Sequence, residues 1–174
     1  MPAHREATAS PIPALNISAT VAWFDFKSDA PATLPNGQPN NVYVDPSYRL
    51  QAEFSGSLGV EYRIATGAGS FTPRVDWFLQ GSRSNGIAYL PQLSGSDNQV
   101  PGYGLVNARI TYTANEGDWA LALAAENLLD KFYWYQLAPA RSNNAALGYP
   151  VTDNRTGTPA RGREVALTFR KNFN

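Results

Sequence analysis

Tyr103-Gly104-Leu105-Val106-Asn107-Ala108-Arg109-Ile110-Thr111-Tyr112, the turn Asn115-Glu116-Gly117-Asp118, and Trp119-Ala120-Leu121-Ala122-Leu123-Ala124-Ala125 form the stretch on which the fold is decided. Side chains on a strand alternate between its two faces. Val106, Ala108, Ile110 and Tyr112 therefore share one face, and Leu105, Asn107, Arg109 and Thr111 share the other. After the turn, Trp119, Leu121, Leu123 and Ala125 repeat the apolar series. The run from Arg163 repeats it once more, with Val165, Leu167, Phe169 and Phe173 set against Glu164, Ala166, Thr168, Arg170 and Asn172. Every run has one apolar face and one face that is polar or small. In a soluble sandwich those faces meet core and water; in a membrane barrel they meet lipid and lumen.

Upstream, the same alternation predicts strands from about Leu15 to Phe26, Phe54 to Ile64 and Phe71 to Ser82. Leu15, Ile17, Ala19, Val21 and Trp23 line one face of the first; Leu58, Val60, Tyr62 and Ile64 line the second; Val75, Trp77 and Leu79 line the third. Residues 1–13 carry three prolines and no periodicity, and read as an irregular lead-in. Polar stretches rich in Pro, Asn and Gly separate strands at 27–48, 83–102 and 136–162, whereas residues 66–70 and 115–118 are tight turns. Long and short connections alternate, as in an up-and-down transmembrane barrel with short periplasmic turns and longer outer loops. Sandwiches mix hairpins with crossing connections.

Charge placement favours the same architecture. Glu61, Arg63, Arg74, Asp76, Arg109, Glu126, Glu164 and Arg170 all fall on the non-apolar face. The apolar face of the six runs carries only Lys171, near a strand end where a lysine costs little in a bilayer. Ala120, Ala122 and Ala124 on the opposite face suit a lumen packed against something better than a solvated surface. The predicted fold class is all-β: an antiparallel up-and-down meander of about six strands. Closed spanning barrels begin at eight strands, so this is an incomplete part of a transmembrane β-barrel, with residues 14–174 as the barrel portion.

Composition removes several function classes. The 174 residues include no cysteine, which excludes disulfide scaffolds, thiol catalysis and cysteine–zinc sites. A net charge of zero with scattered basic residues gives no footprint for nucleic acid. The single histidine, His4, reads as a bystander, no metal or cofactor is expected, and no motif of an enzyme is present. No apolar run is long enough for a spanning helix. The first six residues lack the apolar segment of a signal peptide, so an exported chain would take its signal from elsewhere, as a piece of a larger protein would.

Residues 103–112, the Trp119-led strand, and Asn127-Leu128-Leu129-Asp130-Lys131-Phe132-Tyr133 together resemble the C-terminal end of TonB-dependent outer-membrane receptors. Gly157-Thr158-Pro159-Ala160-Arg161 is similar to a loosened form of the family's Gly-x-Pro-Arg element, with Ala160 inserted before Arg161. Phe173 resembles the terminal aromatic read by the barrel-assembly machinery, although Asn174 follows it. The likeness is specific over about 103–174 and generic over 15–85. It implies a Gram-negative outer-membrane location in contact with lipid. It also implies a barrel of about 22 strands around a separate plug domain, missing here. The parent would import a scarce ligand such as a ferric siderophore, with energy relayed by TonB through the missing N-terminal part. Two other readings compete: a soluble secreted β-sandwich that binds carbohydrate, and part of a passive outer-membrane pore.

Within this frame Asn127, Asp130 and Tyr133 carry the family motif, and the Asn and Asp read chiefly as turn chemistry. Phe132, Tyr133, Trp134 and Tyr135 read first as an aromatic girdle, with Trp134 and Tyr135 as candidates for ligand stacking. Arg141 and Arg155, with Arg161 and Arg163, are candidates for attracting an anionic ligand. Arg74, Asp76, Glu61 and Arg63 are candidates for an ion-pair network in the lumen.

Overall fold

A computed structural model of the chain describes residues 3–25, 33–38, 51–84, 99–139 and 155–173. Its main sheet runs β1 (Ala3–Ile12), β2 (Leu15–Trp23), β3 (Phe54–Tyr62), β5 (Gly69–Gln80), β8 (Tyr103–Ala114), β9 (Trp119–Glu126) and β12 (Glu164–Lys171). Each strand pairs antiparallel with the one before it, and β4 (Ile64–Thr66) extends the β3 position against β5. Two small hairpins rise from the long connections: β6 (Arg83–Ser84) with β7 (Gln99–Val100), and β10 (Trp134–Pro139) with β11 (Arg155–Pro159). The sheet is open. Among the described residues, neither the outer edge of β1 nor that of β12 has a partner strand.

The register aligns the alternation of every strand. Ile17, Val60, Val75, Ala108, Ala125 and Val165 form one continuous apolar row. Phe71, Tyr112, Leu121 and Phe169 form another nearer the short turns. Among the described residues nothing lies over this face. Val75 and Trp77 are each 47 % exposed and Leu123 is 48 % exposed. Among the described residues the only buried apolar side chains are Val100, Ala122 and Leu137, none of them on that face. A sandwich would have closed over Val60, Trp77, Ile110, Leu121 and Leu167; all five are exposed.

Aromatic rings bracket the apolar band at both ends. Toward the short turns, Phe71 and Tyr112 lie 4.9 Å apart, Tyr112 and Trp119 5.1 Å, and Trp119 and Phe169 6.2 Å. Toward the long connections, Trp23 meets Phe54 edge-on at 6.4 Å. From Leu15 to Trp23 the chain climbs about 27 Å along the strand at the usual rise. Allowing for tilt, that fits the apolar band of about 25 Å of an outer-membrane barrel, flanked by aromatic girdles.

Three expectations need correction. The lead-in is a strand: residues 3–12 pair with β2 from Ala3 against Trp23 to Ile12 against Leu15. Its side chains are small or polar, so no apolar period marks it, and backbone pairing at a sheet edge supplies its order. Pro11 is accommodated because it falls at the register shift between Ala9 and Ile12 on an edge strand. The meander therefore has seven strand positions, one more than the alternation alone suggested. The added strand also brings a second charge to the apolar face, since Arg5 pairs with Val21 and shares its side of the sheet. Arg5 lies two residues from the Trp23 level, where a long cationic side chain reaches the interface. Finally, the long connections hold the hairpins β6–β7 and β10–β11 rather than irregular chain throughout.

Candidate functional site

The opposite face is polar and small. Asn16, Glu61, Arg74, Arg109, Ala124 and Ala166 form one row across it. Ser18, Gly59, Asp76 and Asn107 form the next. Arg74 donates from Nε to Asp76 Oδ2 at 2.8 Å and from Nη2 to Oδ1 at 2.6 Å, and its Nη1 lies 3.7 Å from Glu61 Oε2. Arg63 stands apart at the break between β3 and β4, its backbone N–H donating to the Ala14 carbonyl. At about 40 % exposure, the Arg74–Asp76 pair contributes under about 1 kcal/mol. Gly59 makes room for it. A Cβ there would lie 2.6 Å from Asp76 Oδ1, 2.7 Å from Ser18 Oγ and 2.9 Å from Arg74 Nη2. Gly59→Ala should therefore cost about 1–3 kcal/mol of overpacking in a denaturant titration.

At the end of the long connections, His4, Ala22, Ser55, Gln80 and Tyr103 form the last polar row, and the Tyr103 hydroxyl donates to Gln80 Oε1 at 2.9 Å. This row floors a concavity of about 740 Å³ that Phe24, Arg83 and Tyr135 also line. A second hollow of about 420 Å³ lies between β8, β9 and the β10–β11 hairpin, with Asn107, Glu126, Tyr133, Tyr135 and Arg161 among its walls. Tyr135 belongs to both. Arg83 Nη2 donates to the Tyr135 carbonyl at 2.6 Å, tying the two hairpins together.

The motif at residues 127–131 holds the base of the longest connection. Asn127 takes φ 48°, left-handed geometry that Asn tolerates better than most residues, and is 4 % exposed. Its backbone N–H donates to Asn107 Oδ1 at 2.9 Å. Its Nδ2 donates to the carbonyls of Lys131 at 2.9 Å and Arg161 at 3.4 Å, while Oδ1 accepts from the Lys131 N–H at 2.8 Å. Asp130, at φ 52°, accepts the Arg163 N–H on Oδ1 at 2.8 Å. The clamp thus fastens the top of β9 to β8 and to the approach to β12.

The aromatic cluster divides by strand alternation instead of forming one girdle. Tyr133 stacks on Tyr103 at 4.2 Å on the polar side, and Tyr135, 66 % exposed, opens into both hollows. Phe132 and Trp134 meet edge-on at 5.1 Å, and Trp134 packs so close to Gly157 that a Cβ there would lie 2.8 Å from its ring. Arg155 opens β11. Its side chain, and the whole of Arg141, lie outside the described residues. Phe173, 86 % exposed, follows β12, with Lys171 Nζ 5.3 Å from its ring centre. Sequence reasoning passed over Arg83 and Tyr103 at the mouth and read His4 as a bystander. Alternation alone would have placed Tyr103 on the polar face, as it does Gln80, but nothing local marks Arg83.

A family model described as TonB-dependent receptor-like β-barrel matches residues 6–128. The chain belongs to the TonB-dependent receptor β-barrel family. Members of that family are transporters rather than enzymes, act with TonB and a plug domain, and reside in Gram-negative outer membranes. Among solved structures, the ferric yersiniabactin uptake receptor FyuA from Yersinia pestis is 16 % identical with a TM-score of 0.69, over 98 % of this chain and 23 % of that one. The ferric citrate transporter FecA is 19 % identical with a TM-score of 0.54, over 88 % of this chain and 20 % of its own. BauA, the ferric preacinetobactin receptor from Acinetobacter baumannii, gives 14 % and 0.53, over 95 % and 22 %. The chain spans less than a quarter of the length of these TonB-dependent receptors. No curated protein sequence matches it.

Proposed function

We propose that this chain, with β1 as its first barrel strand, is a C-terminal portion of a TonB-dependent outer-membrane importer whose parent takes up a scarce ligand such as a ferric siderophore. The observation that carries this reading is the single-layered sheet: one uncovered apolar face between two aromatic girdles, one polar face, and every long connection at one end. Ferric-ligand receptors among the similar folds support the choice of cargo. Phe173 would serve the barrel-assembly machinery, and the plug domain and TonB would act with other parts of the parent. Ligand contact would come from the mouth, with Trp134, Tyr135, Arg141 and Arg155 on or beside the last long connection.

Strand direction supports membership in a larger barrel. Seven successive antiparallel strands leave β1 and β12 running the same way. An antiparallel closure needs an odd number of further strands between those edges. A second copy in the same membrane orientation would meet them in parallel, against the antiparallel pairing usual in outer-membrane barrels.

The test is uptake by cells that express the complete reading frame and lack other siderophore receptors. Radiolabelled iron supplied as a panel of ferric chelates should accumulate for at least one chelate, and deletion of TonB should abolish it. Accumulation that persists without TonB would replace the importer with a passive pore.

A further inference from the structure

The clamp at residues 127–131 fixes two cations side by side. Asn127 bonds both the N–H and the carbonyl of Lys131, and Asp130 Oδ1 accepts the N–H of Arg163 at 2.8 Å. The backbones of Lys131 and Arg163 are thereby held on either side of the Asp130 side chain. Their own side chains are exposed. Arg163 Nη1 reaches the Leu128 carbonyl at 3.4 Å, a long bond to a neutral acceptor. Among the described residues no carboxylate lies within ion-pair distance of either cation. Neither lines the two hollows on the polar side.

Beside them the surface is apolar. Leu129 is 71 % exposed, and Phe132 and Val165 are exposed with it. Arg163 directly precedes β12 and shares the parity of Val165 and Leu167, which places it at an edge of the apolar face. Height along the sheet decides which edge. From Trp119, in the aromatic belt at the short turns, β9 climbs eight residues to the clamp, about 27 Å at the usual rise. That is the height of the apolar band of an outer-membrane barrel. Arg5 and Lys171 also lie on the apolar side, but neither has a second cation beside it there.

Paired cations at a membrane boundary, next to exposed apolar groups, suit a phosphorylated lipid. An arginine fork and a lysine point charge take phosphate oxygens, and the apolar groups take acyl chain. Two cations also suit a phosphate monoester, which carries up to two charges, better than the single charge of a phospholipid diester. In the outer leaflet of a Gram-negative outer membrane the monoesters belong to an acylated, diphosphorylated diglucosamine. We propose that Lys131 and Arg163 hold one phosphate of that glycolipid, with Leu129, Phe132 and Val165 against its acyl chains. The assignment rests on the importer reading, in which the apolar face meets lipid and the long connections are external.

The probe is lipid A, titrated into the full chain in detergent micelles, with native mass spectrometry counting bound lipid and circular dichroism reporting the sheet. Lipid A should bind at least fivefold tighter than phosphatidylglycerol. Lys131→Gln with Arg163→Gln should weaken it at least tenfold. Lys131→Arg with Arg163→Lys should keep most of it, and Lys171→Gln should leave it within twofold. These changes spare the clamp, which uses only the backbone of residues 131 and 163. Should the neutral pair lose its sheet signal all the same, the charge-conserving pair and the lipid comparison decide. The assignment is overturned by no binding, by full affinity in the neutral pair, or by loss in the charge-conserving pair. It is equally overturned by a matching loss in Lys171→Gln, by phosphatidylglycerol binding as tightly, or by inorganic phosphate competing as well as lipid A. Failure here with TonB-dependent uptake intact removes this assignment and leaves the importer standing.

Discussion

Val75→Arg is expected to destabilise the bilayer-inserted sheet by about 2–4 kcal/mol, the cost of an arginine at the lipid midplane of a barrel. Val75 lies in the central apolar row between Val60 and Ala108, and is 47 % exposed on a face that no described residue covers. Thr72→Arg is the matched control. Thr72 sits on the same strand but in the polar row with Thr111, where a charge meets the lumen. Its effect should stay within about 0.5 kcal/mol, as for an ordinary surface substitution. Denaturant titrations in lipid vesicles compare the two. Equal, small effects would mean that both faces of β5 meet water.

Asn127→Ala carries the second large effect, about 4–5 kcal/mol. Three side-chain hydrogen bonds disappear from a site that is 4 % exposed, each with a net contribution near 1 kcal/mol. Alanine also resists the left-handed φ of 48° by roughly 1–2 kcal/mol. Asn127→Gly separates these causes, because it relieves the backbone while losing the same bonds, and should recover about 1 kcal/mol. Amide hydrogen exchange should show the loss concentrated in residues 127–131 and around Arg163, where the clamp holds, with β2 and β3 unchanged. Uniform loss across the sheet would contradict a local clamp.

How far the fold could be read from sequence followed from how strongly each strand alternates. β5, β8, β9 and β12 place apolar groups at nearly every second position, so the face that each side chain takes was legible. β1 was not, because alanines, Arg5 and Pro11 conceal its period and its order comes from backbone pairing with β2. The charged cluster Glu61–Arg74–Asp76 was legible as a candidate network because all three sit on the polar face; Arg63 shares that parity but falls at the β3–β4 break. The mouth was read least well. Tyr133 and Tyr135 turn to the polar side while Phe132 and Trp134 pack on each other, a division fixed by the β10–β11 hairpin, whose pairing no local pattern announces. Arg83 joins that mouth through a bond to a backbone carbonyl 52 residues away in sequence.

Which medium meets the apolar face can be measured directly by a nitroxide scan along residues 72–79 of β5 in lipid vesicles, recording collision with oxygen and with a water-soluble nickel chelate. Contact with oxygen should peak at positions 73, 75, 77 and 79, and contact with nickel at 72, 74, 76 and 78. Nickel contact at 75 and 77, or shielding of those two positions from both reagents, would contradict a sheet whose greasy side faces hydrocarbon.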